Sequence, residues 1–320
     1  MAKNVLITGV NGFVGSHMAE FVLEQKLGNV FGTVRGKTPS YENIKEIKDK
    51  IIILNCDLTD YFAVKKTIKE SQPDIVFHIA GQAFVPSSWE SPHETLNSNI
   101  LGSLNLFEGI RESGLDPRMQ IACSSEEYGL VLENESPIKE TNPLRPLSPY
   151  GVSKCAMDLL GYQFYKSYGM KIVRTRAFNH SGPRRGKEYV DSNWCMQVAM
   201  IEKEKQKPEL YVGNLKAKRD FTHVKDIVRA YWIAVTKATP GEAYNICSGK
   251  AYSMQQVLDM ILKLTDKKIK VVQDPARMRP SDVELLLGDN SKFVKETGWK
   301  PQIPFEQTLK ETLEYWRERV

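Results

Sequence analysis

The segment ITGVNGFVGSH, residues 7–17, constrains the fold more than any other stretch of this chain. It closes a β-branched apolar run, 5–10, and leads into a helical pattern over 16–25. Gly9, Gly12 and Gly15 fall three apart at that junction. Without Cβ atoms the backbone turns tightly and approaches a pyrophosphate held at the helix N-terminus. Gly9, Asn11, Gly12, Phe13, Val14 and Gly15 are therefore the candidate dinucleotide loop. A turn that merely packs a helix on a strand would not need all three glycines at the first strand-to-helix junction.

The same alternation of strand and helix repeats along the chain. Short β-branched runs at 30–34, 51–54, 75–80, 119–123 and 172–177 read as parallel strands buried on both faces. Helical patterns at 61–70, 94–112 and 153–168 lie between them, so the class is α/β with a doubly wound parallel sheet. After Phe178 the pattern breaks into SGPRRG, then predicts a helix over 193–203 and a strand over 210–212. A helix over 223–236 and a strand over 243–247 return the chain to the sheet. The expected division is a dinucleotide-binding domain of 1–178 with 220–248, and a substrate lobe of helices and loops from 179–219 with 249–320. A length of 320 residues suits one elaborated unit plus a lobe, and 41% hydrophobic with 26% charged residues is a globular balance.

Forty-four basic against thirty-nine acidic side chains give +5, spread along the chain. That is not the clustered stripe of a nucleic-acid binder, and an anionic small molecule accounts for it equally well. Cys56, Cys123, Cys155, Cys195 and Cys247 are scattered and never spaced as CxxC, which argues against a disulfide framework and a zinc site. No metal is expected. No run reaches the length of a membrane span and no leader pattern precedes the first strand, so the expected compartment is a reducing cytoplasm.

The end of the second strand selects the cofactor. A carboxylate there would serve the ribose hydroxyls of NAD, whereas TVRGK offers Arg35 and Lys37 to a 2′-phosphate, which favours NADP over a merely solvated basic loop. Asp57 and Leu58, after the third strand, fall where an adenine edge is read, or form an ordinary strand-end turn. Ala80, Gly81 and Gln82 follow the fourth strand, where small residues let the chain pass beside the cofactor. Tyr150 and Lys154 in SPYGVSK are four apart on one helix face. An ammonium beside a tyrosine lowers its pKa and makes it a usable base. Ser124, at the carboxyl end of the fifth strand, is placed to hydrogen-bond a reacting oxygen.

With GVNGFVG, SSEEYG and YGVSK in this order, the whole chain resembles the extended short-chain dehydrogenases/reductases that act on nucleotide sugars. AGQAFVPSSWESP, FNHSGPRRG, GNLKAKRDFTHVKD, YNICSG and RPSDVELLLGD are most similar to the GDP-mannose branch, which holds 4,6-dehydratases and 4-keto-6-deoxy-mannose reductases. The resemblance implies a GDP-sugar substrate, NADP and a Ser124, Glu126, Tyr150, Lys154 set. It implies 4,6-dehydration of GDP-mannose by internal hydride transfer, with NADPH-dependent 4-keto reduction to GDP-rhamnose, or a bifunctional enzyme, as the alternative. FNHSGPRRG and Glu126 look like the dehydratase; AGQAFVP and VVQDPARMRP look at least as close to the reductase. Glu94 stands where dehydratases usually carry a tyrosine. By the same resemblance Asn99 is a helix-embedded polar group near the active site, among the cofactor-binding residues, with a buried helix-capping or bridging role as the alternative. His180 and Arg185 contact the cofactor, and Asn179, Arg219, Arg279 and Glu284 bind the sugar nucleotide. Strand alternation sends only one of Glu126 and Glu127 to the sugar; the motif selects Glu126 and leaves Glu127 outward. A homodimer or homotetramer is expected, with Leu106, Leu159, Leu160 and Phe164 at its interface. A dinucleotide sensor without catalysis would need only the glycine loop.

Overall fold

The computed structural model describes residues 2–277 and 283–320. The chain opens β1 (Asn4–Thr8), α1 (Phe13–Glu24), β2 (Asn29–Val34), β3 (Ile52–Asn55), α2 (Tyr61–Ser71), β4 (Ile75–His78), α3 (Val85–Glu90), α4 (Pro92–Leu96), α5 (Gly102–Ser113), β5 (Arg118–Ser124), α6 (Pro149–Tyr168) and β6 (Ile172–Ala177). It continues with β7 (Asn179–Ser181), α7 (Val190–Glu202), β8 (Glu209–Val212), β9 (Lys218–His223), α8 (Val224–Lys237), β10 (Ala243–Ile246), β11 (Ala251–Ser253), α9 (Met254–Leu262), β12 (Lys270–Gln273), β13 (Leu285–Leu286), α10 (Ser291–Thr297) and α11 (Phe305–Arg317).

A seven-stranded parallel sheet runs in the order β10-β6-β5-β4-β1-β2-β3. Its strands alternate between two apolar layers, as a period of two requires. Val5 and Ile7 pack with Met18, Val22, Ile227 and Tyr231. Leu6 and Val76 pack with Ile68, Leu106, Phe107 and Phe164 on the opposite face. The expected strands are found to within two residues at either end. Chain order reverses between β1 and β4, so the carboxyl ends of these two strands open the crevice where this fold takes its ligands.

A third core, with Trp194, Val198, Leu210, Leu258, Leu309 and Leu313, unites α7, β8, α9 and α11. Beyond the expected strand at 210–212, found as β8, the lobe carries strands that were not expected. β9 pairs with β7, β11 and β13, and β8 pairs with β12. β7, β11 and β13 are two or three residues long, too short to carry a periodic signal, and β9 reads KRDFTH with little apolar content. The helix expected over 94–112 is likewise interrupted, by a π-helical turn at Asn97–Leu101 between α4 and α5. Phe293 on α10, with Trp299 after it, packs into the core beneath α8, so this part of 249–320 sits with the large sheet. Among the described residues no helix is long and apolar enough to cross a membrane.

Candidate active site

Around the switch point lies a cleft of about 1240 Å³ whose wall includes Gly9, Asn11, Gly12, Phe13, Val14 and Gly15. Gly9 has φ +71°, in the left-handed region, and a Cβ on Gly15 would stand 2.2 Å from the Gly9 carbonyl oxygen. α1 thus packs against the turn at a distance only glycine permits. The helix begins after Gly12 without a side-chain cap and has no acidic residue in its first turn. Its leading N–H groups remain available to an anion, and the loop fits a pyrophosphate.

Arg35 lines the cleft just beyond β2, with its guanidinium 3.8 Å from Glu94; Lys37 is exposed and outside the lining. Asp57 and Leu58 also line it, and Asp57 Oδ1 accepts from the Thr59 N–H (2.9 Å) and hydroxyl (2.8 Å), so the strand-end turn is present as well. Ala80, Gly81 and Gln82 pass along the opposite wall.

β5 delivers Ser124 to the cleft, and a 3-10 turn, Ser125–Glu127, comes directly after it. Ser124 Oγ accepts the Glu126 N–H (3.2 Å) and hydrogen-bonds the Tyr150 side chain. α6 starts with Pro149, capped by Ser148 Oγ accepting the Gly151 N–H (3.0 Å). Tyr150 and Lys154 therefore occupy its first turns, both buried and both in the cleft wall. Glu126 lines the cleft with them.

Burial governs the ionisable groups of this cluster. It pushes the Tyr150 phenol up, opposed by its bond to Ser124 and reinforced by Tyr189, Glu126 and Glu127, so the expected lowering by Lys154 has this push to overcome. The Lys154 ammonium lies 5.9 Å from the Tyr150 ring centroid, donates to the Ala122 carbonyl (2.7 Å), and is itself pushed down by burial. Glu127 was expected to point outward, yet it is fully buried. Alternation does not apply because β5 ends at Ser124 and a turn carries the two carboxylates.

Asn99 sits behind the wall and is not in the cleft lining. Its Oδ1 accepts the Gln82 N–H (2.8 Å), and its Nδ2 donates to the Gln82 carbonyl (3.0 Å) and Ser153 Oγ (2.9 Å). The bridging role is the one realised, tying the loop after β4 to α6. A second chain of hydrogen bonds meets it. Ser103 Oγ donates to the Asn99 carbonyl (2.6 Å), and Thr8 Oγ1 accepts from the Ile79 and Ala80 N–H groups (3.0 Å each). His78 lies between them, 2.8 Å from Ser103 Oγ and 3.0 Å from Thr8 Oγ1. Its Nε2 must donate to Ser103 and its Nδ1 accept from Thr8, so the ring is neutral; burial pushes it down to about 3.

The GDP-mannose 4,6 dehydratase family model matches residues 6–312. GDP-mannose 4,6-dehydratase of Vibrio cholerae is 34% identical, over 97% of this chain and 92% of its own. GDP-6-deoxy-D-mannose reductase of Pseudomonas aeruginosa is 30% identical over 100% and 99%. The chain belongs to the GDP-mannose 4,6-dehydratase family. Solved structures agree with that placement. RMD from Pseudomonas aeruginosa, complexed with NADPH, superposes with a TM-score of 0.86 at 29% identity, over 99% of this chain and 100% of that one. A Thermus thermophilus UDP-glucose 4-epimerase complexed with NAD gives 0.87 at 30% identity, over 99% of each.

The remaining candidates of this family member divide. His180, Arg185, Asn179 and Arg219 line the cleft. His180 stacks on Phe13 (centroids 6.0 Å apart), its Nδ1 meets the Phe178 carbonyl (2.9 Å), and burial pushes it down to about 4. Arg185 is held 3.4 Å over the Tyr189 ring and 5.1 Å over Phe13. Arg219 donates to the Val283 carbonyl (2.6 Å). Glu284 is exposed and outside the lining; its backbone carbonyl accepts the N–H of Lys218 at the start of β9 (2.7 Å). Arg279 lies outside the described residues. Sequence reasoning missed Trp89, Tyr189, Asn193, Tyr211 and Arg277 in the wall. Trp89, 57% exposed on the short helix α3, was the one with a visible signal, since a large aromatic in so polar a segment (SSWESP) has few apolar neighbours to bury it. Cys123, Glu127 and Asp158 converge beneath the site, but the cation facing the two carboxylates is the Arg176 guanidinium.

Proposed function

We propose that this chain is a GDP-mannose 4,6-dehydratase that forms GDP-4-keto-6-deoxy-mannose, with NADP held by the glycine loop, Arg35, Asp57, Leu58, residues 80–82, His180 and Arg185. Asn179 and Arg219 would receive the sugar nucleotide. Bound there, NADP⁺ supplies a hydride acceptor and one added positive charge. Tyr150 takes the proton of the sugar 4-hydroxyl, and that added charge, with Lys154, opposes the upward push of burial on its phenol. Ser124 steadies the reacting oxygen. The resulting ketone acidifies carbon 5; Glu126 takes that proton and hands it to the 6-hydroxyl, which leaves as water. The hydride removed from carbon 4 would return to carbon 6 while carbon 5 takes a proton from solvent.

The observation that carries this reading is Glu126: a carboxylate lines the cleft beside Ser124 and Tyr150, where a simple ketone reduction needs none. The reductase reading is favoured by one fact, that this chain and the Pseudomonas aeruginosa reductase match over essentially their full lengths. Incubation with GDP-mannose and catalytic NADP⁺, without reductant, separates them. Accumulating keto sugar is the expected result. Turnover of the keto sugar only with stoichiometric NADPH would establish the reductase, and binding without turnover a sensor.

Residues 1–178 with 220–248 would form the cofactor domain, joined by α10 and Trp299, and 179–219 with the rest of 249–320 the substrate lobe. The five unpaired cysteines fit a reducing cytoplasm. A homodimer or homotetramer is proposed, with a corrected interface. Leu106 and Phe164 are each 1% exposed and belong to the monomer core, while Leu160 is partly buried against it. Leu101, Val152 and Leu159, all exposed, remain as the apolar face of the helices flanking the site.

A further inference from the structure

Glu127 has no part in the chemistry above, yet it is a fully buried carboxylate directly behind it. Its Oε1 accepts the backbone N–H of Ser124 (2.8 Å) while Ser124 Oγ caps the same turn by accepting the Glu126 N–H (3.2 Å). The two bonds close a reciprocal capping box across Ser125–Glu127. Glu127 Oε2 lies 3.3 Å from Arg176 Nε, and that guanidinium is fixed in turn by Asp158 through Nε (3.0 Å) and Nη2 (3.2 Å). Arg174 also bonds Asp158. Arg176 further donates to the Tyr128 hydroxyl (3.2 Å) and the Glu140 carbonyl (3.1 Å), which anchors the far side of the turn.

We propose that Glu127 is a positioning residue, a clamp that holds the Ser124 backbone from behind the cleft and so aims both Ser124 and Glu126 at the substrate. This rests on the dehydratase reading for the role of Glu126, but Ser124 would need the clamp in either reaction. The side chain works as a hydrogen-bond acceptor at a fixed reach, not as a charge. Arg176 is held by Asp158 independently of position 127, and burial, with the Asp158 carboxylate beside it, already pushes Glu127 up. A carboxamide of the same length preserves the clamp. A shorter carboxylate keeps the charge but withdraws the acceptor by about 1.5 Å.

The test compares Glu127→Gln, Glu127→Asp and Glu127→Leu on the full chain. Glu127→Gln should keep kcat within about threefold of the parent, and Glu127→Asp and Glu127→Leu should lose roughly tenfold to a hundredfold, the scale of a misplaced catalytic group. KM for the sugar nucleotide and Kd for NADP should stay within about threefold in all of them, a split that general destabilisation would not produce. Hydrogen exchange at the Ser124 amide should be slow in the parent and in Glu127→Gln, and fast in Glu127→Leu. Should Glu127→Leu not fold, the order of the other two decides. Glu127→Asp equalling or exceeding Glu127→Gln would overturn the clamp, as would unchanged kcat in every variant. If the parent turns over neither GDP-mannose nor the keto sugar, the proposed function fails; amide exchange still judges the clamp, and fast exchange in the parent would refute it.

Discussion

Glu126 and Glu127 are neighbours with unrelated environments: the first lines the cleft and the second is sealed behind it against Arg176. Motif matching separated them, but strand alternation gave the wrong surroundings for Glu127, because its partner is Arg176, 49 positions further on, and nothing local announces that pairing. Replacing Glu126 by Gln keeps size and removes the basic oxygen. Oxidation at carbon 4, which depends on Tyr150, should survive, so bound NADPH should appear by absorbance while dehydration falls by roughly two to four orders of magnitude. Undiminished dehydration would remove Glu126 from the mechanism. Arg35 is the residue proposed to set the cofactor preference. Arg35→Asp removes a charge that pairs the 2′-phosphate and installs a partner for ribose hydroxyls, so the ratio of NADP to NAD affinity should reverse in titrations of the two. NADP binding as tight as in the parent would reduce Arg35 to a solvated side chain.

At the level of elements, the βα junction was legible because Gly9, Gly12 and Gly15 are required by backbone contact: Gly15→Ala would drive a Cβ to 2.2 Å from the Gly9 carbonyl oxygen. The small strands of the second lobe were not legible, since β7, β11 and β13 form by tertiary pairing with β9, not by their own pattern. The hydrogen-bonded series Thr8, His78, Ser103, Asn99 joins β1, β4 and α5 and carries a pH signature. His78 is held at about 3 against an ordinary value near 6.5, so between those values the unfolded chain binds the extra proton. That contribution to stability is present above about pH 6.5 and is lost as pH falls. In urea titrations between pH 7.5 and 5 the parent should lose about 2 kcal/mol more than His78→Gln, the other titrating groups being common to both. Equal losses would mean that His78 is not held neutral.

For the whole molecule, the doubly wound sheet was readable from continuous apolar strands, whereas the surface that would join two copies was not. Sequence grouped Leu106 and Phe164 with Leu159, because periodicity marks apolar residues without saying whether a helix or a second chain covers them. Leu159, 56% exposed on α6, is the better probe. Leu159→Glu should convert an oligomer to a monomer by light scattering at micromolar concentration, and a monomeric parent would dismiss the interface. Every proposed role in the cleft converges on internal hydride transfer, and isotopic labelling reads that event directly. GDP-mannose carrying deuterium at carbon 4, incubated with catalytic NADP⁺, should give a 4-keto-6-deoxy product with the label at carbon 6. Recovery of unchanged substrate with its label still at carbon 4, alongside NADPH-driven reduction of the keto sugar, would contradict the dehydratase assignment.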